Sequence, residues 1–200
     1  MTPLPFSAPH EAPPPPGACA DLGAAMRALV PVLETPRLRL RAPTLADFPA
    51  WAALMGGPRS HGMGGPMGRE DAFEDFAGCV VTWVLRGHGA WAVEDREGTL
   101  LGFVLVGFES DDREPELGFM VLPEAEGRGV AHEAALAARD WAWAMGLASL
   151  VSYVDPANAR SMRLAGRLGA RRDPEAERAF DGTDGAGFAV WRHPRPEGGA

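Results

Sequence analysis

Two glycines one residue apart, Gly127 and Gly129, follow an apolar run and open a long alanine-rich segment, a combination able to hold an anion. Neither carries a Cβ to keep a ligand off the backbone, and both permit turns that aim successive N–H groups at one point. A helix starting beyond them adds unpaired N–H groups and the positive end of its dipole. Arg128 brings a full charge to the same place. A bound phosphate and a tight connection without a ligand are both compatible with such a turn.

Other reactive side chains point to simpler roles. His61, Met63 and Met67 sit in a glycine-rich stretch, Gly56 to Gly68, where one imidazole and two thioethers make a poor metal site, so no metal is expected. Cys79 lies among apolar helix positions and reads as core. His88 and His132 read as surface groups. Trp141 and Trp143 stand about 200° apart around a helix, which predicts that they cannot share one core and that one meets an interface.

The elements that position the glycine turn follow from periodicity. Leu38 and Leu40 alternate with Arg37, Arg39 and Arg41 as in a half-buried strand with its arginines facing water. Thr44 and Asp47 open a helix in capping-box fashion, with Leu45, Phe48, Trp51, Ala52 and Met55 at helical spacing. A second helix runs from about Glu70 to Leu85, burying Phe73, Phe76, Val80, Trp83 and Val84. Strands at 90–94, 100–106 and 116–122 predict an antiparallel meander. The helix from Arg128 to Gly146 then leads to a strand at 149–154, a helix from Asn158 to Leu168, a loop-rich stretch and a last strand at 187–191.

The chain has 200 residues, 46% hydrophobic, with a net charge of −8. One domain is expected over 31–194, preceded by a flexible Pro/Ala-rich tail (1–30) and followed by a polar tail (195–200). The acidic balance argues against nonspecific nucleic-acid binding and suits a cationic substrate. With two far-apart cysteines, no apolar run of membrane-spanning length and no basic, apolar signal-like start, the expectation is a soluble cytoplasmic protein with no membrane partner. A monomer or a homodimer fits equally well. Three strands precede the glycine turn, which disfavours a dinucleotide fold, and no Gly-Lys-Ser/Thr is present for a nucleoside triphosphate.

This order and four motifs resemble the GNAT superfamily of N-acetyltransferases, especially its branch of ribosomal-protein N-terminal acetyltransferases. The motifs are Leu33 to Arg41, Glu116 to Pro123, Glu126 to Ala131, and Asn158-Ala159-Arg160-Ser161 with Leu168-Gly169. The resemblance spans about 33–193 and implies an α+β fold, a mixed, mostly antiparallel central sheet covered by helices on both faces.

It also implies acetyl-CoA as cosubstrate and a primary amine as acceptor, either a protein or peptide N-terminus or a small molecule; a noncatalytic acyl-CoA-binding module is the alternative. By resemblance, the N–H groups around Gly127, Arg128, Gly129, Val130 and Ala131 hold the pyrophosphate, and the edge at Met120, Val121 and Leu122 pairs with pantetheine, assisted by Asn158. Strands at 116–122 and 149–154 would split to admit it. Glu116 is the implied base, Ser161 the implied thiol donor, and the N–H of Val121 or its neighbour the oxyanion donor. Two departures stand out. Glu126 occupies the place of the family's Gln or Arg, with Arg128 as the expected compensating charge, and the helix tyrosine of many relatives is replaced by Leu164 and Ala165. Tyr153 is expected only to pack.

Overall fold

Side-chain alternation along the central strands sorts the core into two layers, one on each side of a single sheet. The computed structural model describes residues 6, 8–109, 112–180 and 187–196. Its strands are β1 (Leu33–Glu34), β2 (Leu38–Arg41), β3 (Ala90–Asp95), β4 (Leu100–Gly107), β5 (Glu116–Val121), β6 (Val151–Val154), β7 (Arg171–Arg172) and β8 (Ala189–Arg192). Its α-helices are α1 (Ala18–Arg27), α2 (Phe48–Met55), α3 (Arg69–Arg86), α4 (Val130–Ala144), α5 (Ala159–Arg167) and α6 (Pro174–Phe180). The sheet runs β1-β2-β3-β4-β5-β6-β8-β7, antiparallel throughout except at β5–β6. This is the mixed α+β architecture expected from the sequence.

Trp91, Val93, Val104, Val106 and Leu117 face α4 and α5. Ala134, Ala135, Ala138 and Ala142 keep the contact face of α4 small, so the helix lies close to the strands. Ala90, Ala92, Phe103 and Met120 face α2 and α3. There Trp51 meets Phe103 and Phe76 edge-on, at centroid distances of 4.9 and 5.5 Å. The Thr44–Asp47 cap forms, with Thr44 N–H donating to Asp47 Oδ2 at 2.7 Å. Asp47 also accepts both Arg41 Nη groups, at 2.8 and 3.0 Å, so Arg41 is half-buried in an ion pair, not directed at water.

Several sequence expectations change. Trp141 and Trp143 pack against the same core: Trp143 is buried, and Trp141 sits edge-on to Trp83 and Trp91 at 5.5 and 5.0 Å. Long indoles reach the core from both flanks of α4, and Trp141 completes a cluster with Trp83 and the β3 residue Trp91. His88 is buried, its Nδ1 2.8 Å from Val106 O. Val84 is exposed. The 56–68 loop contains a 3-10 turn, Pro58–Met63. The loop-rich stretch holds β7 and α6, whose start was legible: Asp173 accepts N–H groups of Glu175 and Ala176 and Pro174 follows it, a capped helix entry. The last strand begins at Ala189, two residues later than expected. In the proline-rich N-terminal region, buried Glu11 accepts Arg69 Nε and Nη2 at 2.8 and 2.9 Å, and His10 lies edge-on to Phe73. No helix among the described residues is long and apolar enough to cross a membrane.

Gly102, on β4 opposite Val121, has φ +155, and a Cβ there would lie 2.2 Å from Met120 O. Gly102→Ala should therefore cost ~3 kcal/mol or more by prising β4 from β5. Thermal unfolding checks this, and an unchanged melting temperature would contradict it.

Candidate active site

The only parallel strand pair among the described residues holds for a single register step. Glu116 on β5 aligns with Val151 on β6, and Val151 N–H donates to Pro115 O at 3.0 Å. A parallel ladder advances two residues per bond, so the next would run from Tyr153 N–H to Leu117 O. Both groups are engaged elsewhere. Leu117 O accepts the Ser152 hydroxyl at 2.7 Å, and Tyr153 N–H donates to Glu116 Oε1 at 3.3 Å. From there β5 and β6 diverge.

The diverging edge carries usable backbone groups. Leu122 N–H donates to Leu101 O, toward β4, and hydrogen-bonding direction alternates along a strand. Phe119 and Val121 consequently turn their N–H and C=O groups into the opening. Behind it, His193 is buried, 3.1 Å through Nε2 from Ser152 Oγ, with no partner at Nδ1 among the described residues. Burial, aided by the charge of Arg139, pushes the imidazole down to about 4. A neutral ring is therefore in place at pH 7, Nε2–H donating to Ser152, whose hydroxyl donates to Leu117 O.

The opening widens into a cleft of about 720 Å³. Asp75, Glu109, Asp112 and Glu116 line it, and no Lys, Arg or His does so among the described residues. Burial, then the nearby charges of Asp112 and Glu109, push the Glu116 carboxyl up to about 8 against the bond from Tyr153 N–H. A carboxyl that titrates near neutrality is suited to proton transfer. Asp75 accepts Trp51 Nε1–H at 2.7 Å, and its carboxyl is also raised by burial. Cys79 lines the same cleft; burial, then Asp75, Glu109 and Glu116, push its thiol up, which leaves it unreactive. Tyr153 likewise borders the cleft while its hydroxyl accepts Glu114 N–H at 3.2 Å.

Beyond the end of β5 lies the glycine turn. Gly127 and Gly129 take φ +72 and +79, and Gly129 caps α4. Among the described residues, Gly127 to His132 make no close backbone hydrogen bond through their N–H groups; the first such donor is Glu133, to Gly129 O at 3.1 Å. A Cβ at Gly127 would meet nothing within 4 Å, so the turn is open to a ligand. These unengaged donors, with Gly127 to Gly129 exposed, fit a pyrophosphate. The charge compensating Glu126 does not come from Arg128. Arg59, from the Pro58–Met63 turn, and Arg160, from α5 at 2.9 Å, both pair with Glu126. Burial raises the Glu126 carboxyl, and the bonds from these arginines outweigh it, leaving it below the usual range. Across the turn, Arg37 donates to Arg128 O at 3.0 Å and pairs with Glu133.

Of the residues singled out from sequence, Glu116, Met120, Asn158 and Ser161 line the cleft together. Val121 and Leu122 lead from it to the turn, so Gly127, Arg128, Gly129, Val130 and Ala131 stand outside the cleft at its approach. Asn158 Oδ1 accepts Ser161 N–H at 3.0 Å, a helix cap. Ser152, His193, Asp75, Arg59 and Arg160 were not identified; only Ser152 left a trace, as a hydroxyl inside an apolar strand.

Residues 37–171 match the sequence profile of the acetyltransferase (GNAT) domain. An acetyltransferase from Agrobacterium tumefaciens str. C58 is 37% identical, with TM-score 0.77 over 82% of this chain and 95% of its own. Two more distant structures share the fold. Spermidine N-acetyltransferase from Vibrio cholerae, solved with CoA and spermine, has 19% identity and TM-score 0.59 over 79% of this chain and 94% of its own. Mycobacterium smegmatis RimJ in complex with CoA-disulfide has 18% identity and TM-score 0.59 over 82% and 86%.

The raised Glu116 carboxyl carries a stability signature. Its protonated form is favoured in the fold, so its contribution is complete below the ordinary carboxylate range and is lost as pH rises through about 8. Glu116→Gln keeps an oxygen for Tyr153 N–H and should melt above the native protein at pH 9, by roughly 2–4 °C per kcal/mol, with the gap closing near pH 4. Calorimetry across pH reads it, and a pH-independent gap would contradict the assignment.

Proposed function

The chain belongs to the GNAT acetyltransferase family, and from that premise we propose that it transfers an acetyl group from acetyl-CoA to a primary amine, with a protein or peptide N-terminus as its acceptor. The observation that carries this reading is Glu116: a carboxyl tuned to about 8 at the point where β5 and β6 part. An α-amino group titrates at about 7.7–8.0, against about 10.4 for a lysine-type amine, so Glu116 matches the former. The acidic cleft attracts the acceptor in its ammonium form.

Acetyl-CoA supplies a thioester carbonyl and a thiolate leaving group. Glu116 accepts the proton of the incoming amine, directly or through water, and frees its lone pair to form the C–N bond. Val121 N–H, turned into the opening, donates to the carbonyl oxygen as it gains charge. Ser161 hydroxyl returns a proton to the sulfur as the C–S bond breaks. The free edge at Phe119 and Val121, within the run Met120 to Leu122, pairs with the pantetheine amides as an added strand, with Asn158 on the facing wall. The N–H groups from Gly127 to Ala131, with Arg128, hold the pyrophosphate.

A second reading, a small di- or polyamine acceptor, is favoured by the four carboxylates of the cleft. Thiol release with acetyl-CoA, measured against peptides with free and blocked N-termini and against polyamines, separates the two. The free peptides should turn over, with kcat/KM rising with pH through about 8. Glu116→Gln should lower turnover about 10²- to 10⁴-fold while CoA affinity stays within about 3-fold. An unchanged rate in Glu116→Gln would remove Glu116 from the chemistry, and turnover of polyamines alone would move the acceptor to the second reading.

A further inference from the structure

Glu126 lies one residue before Gly127, where its negative charge opposes an anion at the turn. Two guanidinium groups neutralise it and leave a net positive charge. Arg59 pairs through Nη2 with one carboxylate oxygen, and Arg160 pairs through Nη2 with the other. Neither has another partner among the described residues, and each fork carries five N–H groups for one shared carboxylate. The arginine side chains are 56% and 60% exposed, against 22% for Glu126, so their remaining donors face outward at the approach to the cleft. Exposed pairs of this kind add little to stability, and fold maintenance is a weak explanation for two of them on one carboxylate.

The two arginines also come from segments far apart in the chain. Arg59 belongs to the Pro58–Met63 turn, whose Gly62 and Met63 line the cleft, and Arg160 belongs to α5 beside Ser161. Glu126 draws both to the glycine turn. We propose that Arg59 and Arg160 are phosphate-binding residues for the cosubstrate, held at the turn by Glu126 so that their free N–H groups meet the phosphates of CoA lying on Gly127 and Gly129. Glu126 thereby replaces the direct donor that Gln or Arg would provide at its position by two indirect ones. This inference rests on the acetyl-CoA reading above.

Titration calorimetry of the full chain with CoA, at several salt concentrations, tests it with Arg59→Gln, Arg160→Gln and the double variant. Charge-assisted bonds of this type predict a rise in Kd of about 5- to 20-fold for each single variant and a larger rise for the double. The double variant should also show a shallower dependence of Kd on salt, and its melting temperature without ligand should stay within about 2 °C of native. Arg160→Lys, which keeps the charge, should recover part of the affinity. Native-like Kd and salt dependence in the double variant would overturn the phosphate role while leaving the acetyl-CoA reading intact. Failure of the native chain to bind CoA at millimolar concentration would overturn both.

Discussion

A backbone hydrogen bond that β5 and β6 do not make, from Tyr153 N–H to Leu117 O, governs the geometry of the functional half of this protein. A regular parallel ladder would have closed the sheet there and buried both edges. Instead the Ser152 hydroxyl satisfies Leu117 O and the Glu116 carboxylate satisfies Tyr153 N–H, so the strands part without leaving either group unpaired. The buried neutral imidazole of His193 fixes the direction of the Ser152 hydroxyl. The same substitution holds Glu116 half-buried at the fork, and desolvation there is the main cause that brings its carboxyl to about 8. Opening the sheet and raising the Glu116 carboxyl are thus one structural event.

Charge is distributed along the resulting channel in a way that its proposed reaction can use. Carboxylates line the cleft, where an ammonium would arrive, and arginines gather around the glycine turn, where phosphates would lie. The chain as a whole is strongly acidic, so the arginine cluster stands against the overall charge. Two glutamates, Glu126 and Glu133, anchor these arginines and sacrifice part of their charge for position.

What could be read from the sequence was what depends on local pattern. Period-two strands, the Thr44–Asp47 cap and the glycine turn before α4 each declared themselves in a few adjacent residues. The family resemblance then brought Glu116, Asn158 and Ser161 together from distant segments, and they do line one cleft. Long-range pairings stayed hidden. Nothing in the neighbourhood of His193 indicates that it reaches Ser152, 41 positions earlier, and the 34-residue separation of Glu126 from Arg160 concealed the partner that Arg128 was expected to be. The tryptophans of α4 were misjudged because angular position on a helix ignores how far an indole can lean and what other elements offer it; Trp83 of α3 and Trp91 of β3 together provide Trp141 with packing partners.

The central claim is that the unpaired edge of β5 is the seat of the cosubstrate. Residue-resolved amide hydrogen exchange, with and without CoA, tests it most directly. The account predicts that the N–H groups of Phe119 and Val121 exchange readily in the free protein and become protected by CoA, whereas that of Met120, already directed toward β4, changes little. Protection confined to other segments, with Phe119 and Val121 unaffected at saturating CoA, would contradict it.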